Sequence, residues 1–231
     1  DAASALRRFS IPRPPILEEA GFRSATLPIP ELLGAARAVG NVTASPDDDG
    51  IYRRIRLASA LGDLGVPSVP SAVSAVAGGP APDSVPADAA GDMIIRFFGP
   101  AGTYRAYPAA TLLNSWAMIG EGAAPQIPPE DFAGKIVLVG LSAVGLHDLK
   151  SSPMSAITPG VEIQAAALDT LLGRSSFRLV PAAATAGFAL LLSVLAAIAV
   201  SSFRKIRWIV AAYAAAIAVP AAASAAAFPA S

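Results

Sequence analysis

The feature that most constrains this chain is where its charge stops. No acidic residue follows Asp169, and beyond residue 178 the only charged side chains are Arg204, Lys205 and Arg207. Residues 1–178 hold the other fourteen basic residues and all seventeen acidic ones, a net charge of about −3. The two parts are suited to different solvents. Residues 179–203 form a stretch of 25 without a charge. About 20 apolar residues cross a hydrocarbon core as a helix, because each backbone N–H and C=O must find its partner within the segment there. Pro181 sits near the start, where a missing N–H costs little. Residues 208–230 are a second uncharged stretch, richer in alanine and interrupted by Pro220. Membrane helices tolerate such a kink. A buried soluble helix, or the end of a fragment, is the other reading of this second stretch. The sequence therefore predicts a transmembrane helical hairpin: helix 179–203, loop 204–207, helix 208–230.

Three positive charges in so short a loop belong on the cytoplasmic side, against two, Arg174 and Arg178, at the other end. Trp208 fits an interfacial aromatic. This orientation puts residues 1–178 outside the cytoplasm. The chain opens at Asp1 on a polar stretch without the apolar core of a signal peptide. An exported domain needs an export signal, so the chain is expected to be a piece of a longer protein that carries an earlier membrane segment.

Overall composition narrows the class. With 17 basic and 17 acidic residues the formal net charge is zero, where a nucleic-acid binder shows a basic excess. Hydrophobic residues make up 54%, which excludes a disordered chain. With no cysteine there is no disulfide framework and no thiolate metal site.

Within residues 1–178, strand-like and helical runs alternate, which points to an α/β sandwich. Residues 30–40 read as a helix, with Pro30 in its first turn, Glu31 complementing the dipole and Gly40 as its stop. Residues 41–44 and 51–58 read as a hairpin around the turn Asp47-Asp48-Asp49-Gly50. Residues 68–77 are helical and 78–92 are a loop. Residues 93–98 read as a strand. Residues 108–119 read as a helix with Leu112, Leu113, Trp116 and Ile119 on one face. Lys135-Ile136-Val137-Leu138-Val139-Gly140 reads as a strand covered on both faces, as in parallel sheets. After the loop 141–158, residues 159–172 read as a helix, with Thr158 as N-cap, Pro159 at its first position, Gly173 at its stop and Val161, Leu168, Leu171 and Leu172 near one face.

Few residues carry a chemistry motif. Asp47-Asp48-Asp49-Gly50 suggests a calcium loop, but an EF-hand needs a bidentate Glu at its twelfth position, and that position is Ala58. A hairpin turn is the simpler reading. Gly140 and Gly145 frame a phosphate-loop spacing without the Gly-Lys-Ser/Thr ending. Gly140-Leu141-Ser142-Ala143-Val144 lacks the second glycine of a nucleophile elbow, and the only histidine, His147, follows five residues later in the same loop. His147 and Asp148 are two ligands where a stable metal site wants three or four. Arg53, Arg54 and Arg56 alternate along a strand, with Arg54 and Arg56 on one face. Pairing with nearby carboxylates such as the Asp cluster is expected over ligand binding. No catalytic residue, metal or cofactor is expected. If any segment contacts a ligand it is 141–152, because ligands of α/β sheets sit at the carboxyl ends of strands. Ser142, His147, Asp148 and Arg53 are its candidate contacts.

Taken in order, these segments resemble a known family. Asp47-Asp48-Asp49-Gly50-Ile51-Tyr52-Arg53-Arg54-Ile55-Arg56-Leu57 is similar to the D-x-DG-x-x-RR-x-x-L hairpin of the second CHASE type, the extracellular sensory domain associated with bacterial cyclases and histidine kinases. Lys135 to Gly140, Gly145-Leu146-His147-Asp148, Pro153 and Pro159-Gly160-Val161-Glu162-Ile163-Gln164-Ala165 resemble its closing half. Gln164 stands where that family often has histidine. The resemblance spans about residues 1–172 and implies an input domain ahead of about three membrane helices and an output module. That module is commonly a class III adenylate or guanylate cyclase, otherwise a histidine or serine/threonine kinase. A non-signalling anchored export domain is the remaining alternative. The resemblance also implies a sensor that is N-terminally incomplete here. The expected partners are the membrane, an extracytoplasmic ligand or protein, and a second copy of the chain, but no nucleic acid. The expected location is the bacterial inner membrane.

Overall fold

A computed structural model describes residues 5–12, 21–142, 148–177 and 180–202, and single positions beyond. The chain divides into two compact units, Asp1–Arg178 and Leu179–Ser231.

Among the described residues the first unit is mixed α/β, with three small sheets. Strands β1 (Ile11–Pro12), β2 (Gly21–Phe22), β4 (Ala58–Leu61) and β5 (Leu64–Pro67) form one sheet in the order β1-β5-β4-β2. Strand β3 (Arg54–Arg56) pairs antiparallel with β6 (Asp92–Ile94), and β7 (Leu149–Ser152) with β8 (Ser155–Pro159). The α-helices that the described residues of this unit form in full are α1 (Pro30–Ala35), α2 (Val69–Val76), α3 (Ala109–Gly120) and α4 (Gly160–Leu172). The principal core is where β3 and β6 meet α4: Ile55, Leu57, Met93, Ile95, Ile163, Ala166, Ala167 and Leu171 are buried together. Strand alternation sends Ile55 inward while Arg54 and Arg56 point out. The four buried residues of α4 recur at 163, 166, 167 and 171, the 3–4 spacing of one helix face.

Several expectations are corrected. The predicted hairpin across 41–58 does not form. Asp47–Gly50 does turn, with Gly50 at φ 81°, but Asn41 bridges Ser68 and Ile51 bridges Ser151, both in parallel sense, and β3 takes β6 as its neighbour. Hairpins form instead at β4–β5, closed by Gly62-Asp63 with Gly62 at φ 60°, and at β7–β8, closed by Pro153-Met154. Residues 135–140 are not a strand. Val139 is 93% exposed, and the described strands near it pair elsewhere, so the apolar run has no ladder to join. Helix α1 ends at Ala35, and Gly40 is not its stop. Strand β6 ends at Ile94 and not Phe98; Ile95 N still donates to Arg53 O at 2.9 Å, and Arg96 N, on the opposite edge, donates to Thr170 Oγ1 of α4 at 3.0 Å. Helix α3 forms as predicted, but its apolar face does not enter the core. Leu112, Leu113, Trp116 and Ile119 are all exposed, and the buried contact is Ser115, whose hydroxyl donates to Thr111 O and accepts from Ile127 N. Thr158 does not cap α4. Its hydroxyl pairs with Ser152 Oγ, and Pro159 occupies the cap position.

In the second unit the first predicted span forms helix α5 (Ala182–Ser202). Among the described residues no helix is long and apolar enough to cross a membrane. The loop 204–207 and nearly all of the second predicted span lie outside the described residues.

Candidate functional site

The outer face of β3 carries the densest charge. Arg56 and Asp92 are register partners across the β3–β6 ladder and make a two-pronged pair, Nε to Oδ1 at 2.8 Å and Nη2 to Oδ2 at 3.1 Å. Arg54 Nη1 donates to Asp88 Oδ2 at 2.8 Å, and its Nε lies 3.4 Å from Asp47 Oδ1. Arg53 donates to both oxygens of Asp49 at 2.8 Å and to Asp47 Oδ2 at 3.1 Å. The Arg53 guanidinium and the Ile51 N–H hold the Asp49 carboxyl at about 2. Burial raises Asp88, but the N–H groups of Asp92 and Ala90, together with Arg54, bring it below its ordinary value. Each of the three guanidiniums thus faces carboxylates, which outnumber them four to three. The cluster ties the 47–50 turn to the 88–92 loop and leaves no bare cation for an anionic ligand.

This arrangement sets an acid limit. The Asp49 carboxyl sits near 4 unfolded and about 2 folded, so its stabilisation is complete above pH 4 and lost as pH falls through 2. In acid unfolding of the full chain, Asp49→Asn is expected to flatten the pH dependence between 4 and 2 and leave the slope above pH 5 unchanged. An unaltered slope below pH 4 would contradict the pairing.

Asp148 stands at the start of α4. Its carboxylate lies 3.0 Å from Lys150 Nζ, its backbone O accepts from Gly160 N at 2.8 Å, and it crowds the face of Gly160 where a Cβ would stand. A carboxylate there complements the positive end of the helix. Lys150 Nζ also lies 5.2 Å from the Tyr52 ring centroid, and Tyr52 N donates to Ser151 O. The segments holding Arg53 and Asp148 are therefore neighbours, yet each charge already has its own partner. Ser142 is an exposed loop residue, and His147 lies outside the described residues. Among the described residues no group of three or more metal-ligating side chains comes together.

A third feature went unread in the sequence. Glu162 and Asp169, seven residues apart on α4, face the loop 99–104. Gly102 N donates to Glu162 Oε1 at 2.7 Å, and Tyr104 OH donates to Asp169 Oδ2 at 3.2 Å. Burial first, and Asp169 second, push the Tyr104 hydroxyl well above its ordinary value. The i, i+7 spacing of the two acids was the available signal. The cleft here, lined by Phe97, Tyr104, Ser152 and Glu162 among others, encloses about 10 Å³, room for one water. Beside it, Gln164 Nε2 donates to Val42 O at 3.0 Å, where the resemblance leads one to expect histidine.

In this mixed α/β unit the guanidiniums of Arg53, Arg54 and Arg56 and the carboxylate of Asp148 each face a partner of opposite charge. Residues 3–201 match the family model of the CHASE2 domain, and the chain belongs to that family. CHASE2 domains are extracellular sensory domains of signalling receptors. No curated protein and no solved structure matches the chain.

Proposed function

We propose that the chain is the sensing and anchoring part of a bacterial inner-membrane receptor, with residues 1–178 outside the cytoplasm and a class III adenylate or guanylate cyclase as its output. The observation that carries this reading is the extent of the family match, which runs through the sensory domain and on into α5. The side chains described in α5 cover 183–198, and Phe188, Leu190, Leu191, Val194, Leu195 and Ile198 are all exposed. An apolar surface of that kind calls for lipid or protein around it. The uncharged run extends past both ends of those side chains, from 179 to 203, and Arg204, Lys205 and Arg207 then favour the cytoplasmic face. The second uncharged stretch, 208–230, returns across the bilayer in this reading.

Within it, the ligand face is the loop 141–152. Ser142 is exposed there, and Asp148, which follows His147 in the sequence, sets its carboxylate against Gly160 at the start of α4. Arg53, on the neighbouring segment, buttresses the face through its aspartates. A second copy of the chain is the expected protein partner. Alkaline phosphatase fused at residue 90 is expected to be active, and at Lys205 inactive, with a cytoplasmic fluorescent reporter giving the reverse. The opposite pattern would overturn the topology. Cyclic-nucleotide output that is unchanged when His147 and Asp148 are replaced together would remove the ligand face.

A further inference from the structure

Helix α4 ends in a strained turn. Thr170 and Leu171 anchor its last turn, both fully buried, with Thr170 Oγ1 accepting from Arg96 N. Past Leu172 the backbone closes in a Schellman motif: Ser175 N donates to Thr170 O and Arg174 N to Leu171 O, each at 3.1 Å. That motif needs a left-handed residue, usually glycine. The glycine here is one position early. Gly173 has φ −75°, and the left-handed place falls to Arg174 at φ 49°, the one non-glycine with positive φ among the described residues. The closed turn carries a second cost, because Ser175 Oγ is buried with no hydrogen-bond partner among the described residues.

Both costs vanish if α4 runs on. With Arg174 right-handed, Ser175 Oγ would reach Leu171 O. The helical hydroxyls of Ser115, Thr170 and Ser193 already make that bond, each donating to the carbonyl four residues back at 2.7–2.8 Å. Opposing the extension is Gly173, which weakens a helix from within. We propose that residues 173–177 are a two-state joint: the closed turn seen here, and an extended form in which α4 lengthens by about one turn, roughly 6 Å. Strain of this kind gathers at switching elements. The joint stands on the left-handed Arg174 and the unpartnered Ser175 hydroxyl, and only its use as a signal relay rests on the receptor reading.

Backbone Cα chemical shifts of the full chain in detergent micelles test it, read at Arg174 and Ser176, because rapid exchange averages them over the two forms by population. Arg174→Gly should favour the closed turn about tenfold and move the Ser176 shift away from helical values. Ser175→Ala should do the same, by removing the orphaned hydroxyl. Gly173→Ala should move the shifts of Arg174 and Ser176 toward helical values. Shifts that stay unchanged in all three variants, or that move in the opposite sense, would overturn the joint. These outcomes do not depend on topology or on any output enzyme, so the joint and the receptor reading fail separately.

Discussion

Ile55→Ala is expected to be among the most damaging single substitutions in the sensory unit, lowering stability by about 2–5 kcal/mol. Ile55 is 1% exposed and lies opposite Met93, itself fully buried, in the β3–β6 ladder. Its side chain belongs to the cluster that joins this two-stranded sheet to Ile163, Ala166, Ala167 and Leu171 of α4. A ladder of three register pairs cannot hold itself in water, so the sheet exists because α4 covers it. Truncation leaves a cavity lined by rigid neighbours, with little scope for collapse. Leu113→Ala on the exposed side of α3 provides the control and should change stability by no more than about 0.5 kcal/mol. Urea unfolding of the full chain in mild detergent, followed by far-UV circular dichroism, compares the two. Equal midpoints would mean that the core has been placed wrongly.

Gly40→Ala is expected to cost about 1–3 kcal/mol through overpacking. A Cβ on Gly40 would lie 2.6 Å from Val69 Cα and 2.7 Å from Val69 N. The obstacle is backbone at the start of α2, so no side-chain rotation relieves it. The two strands of chain are also laced together by Asn41 N to Pro67 O at 2.7 Å and Val69 N to Asn41 O at 3.0 Å. An alanine must therefore push α2 off this seam. Gly34→Ala makes the contrasting case. It lies inside α1 with nothing within 4 Å, and there alanine should stabilise by about 0.5–1 kcal/mol. Thermal melts of the two variants should move in opposite directions, and a Gly40→Ala protein as stable as the parent would refute the close approach.

Gly40 also shows why sequence reading went only part of the way. A glycine after a helical pattern reads as a stop, and nothing local reveals a backbone passing close by from a distant residue. Helices α2, α3 and α4 were legible because their signals are local: prolines at the starts of α3 and α4 and apolar residues at a period near 3.6. The turn at Asp47–Gly50 was legible for the same reason. Strand partners were not. Arg54–Arg56 finds its neighbour at Asp92–Ile94, across an intervening hairpin and helix, and no local pattern encodes that choice. The apolar run 135–140 marks the converse limit, since β-branched composition favours a strand only where a neighbour offers a free edge. For the site, pairing of Arg53 with the Asp cluster followed from proximity in the chain. The Glu162–Gly102 and Tyr104–Asp169 contacts needed the fold, because a loop 60 residues away supplies their other halves.

The outward turn of α3 has a spectroscopic consequence. The protein has two tryptophans, Trp116 and Trp208. Trp116 is 76% exposed, so its indole emits from water and meets collisional quenchers such as iodide freely. Iodide quenching therefore reports on the outward face of α3, and any fluorescence that iodide fails to reach belongs to Trp208.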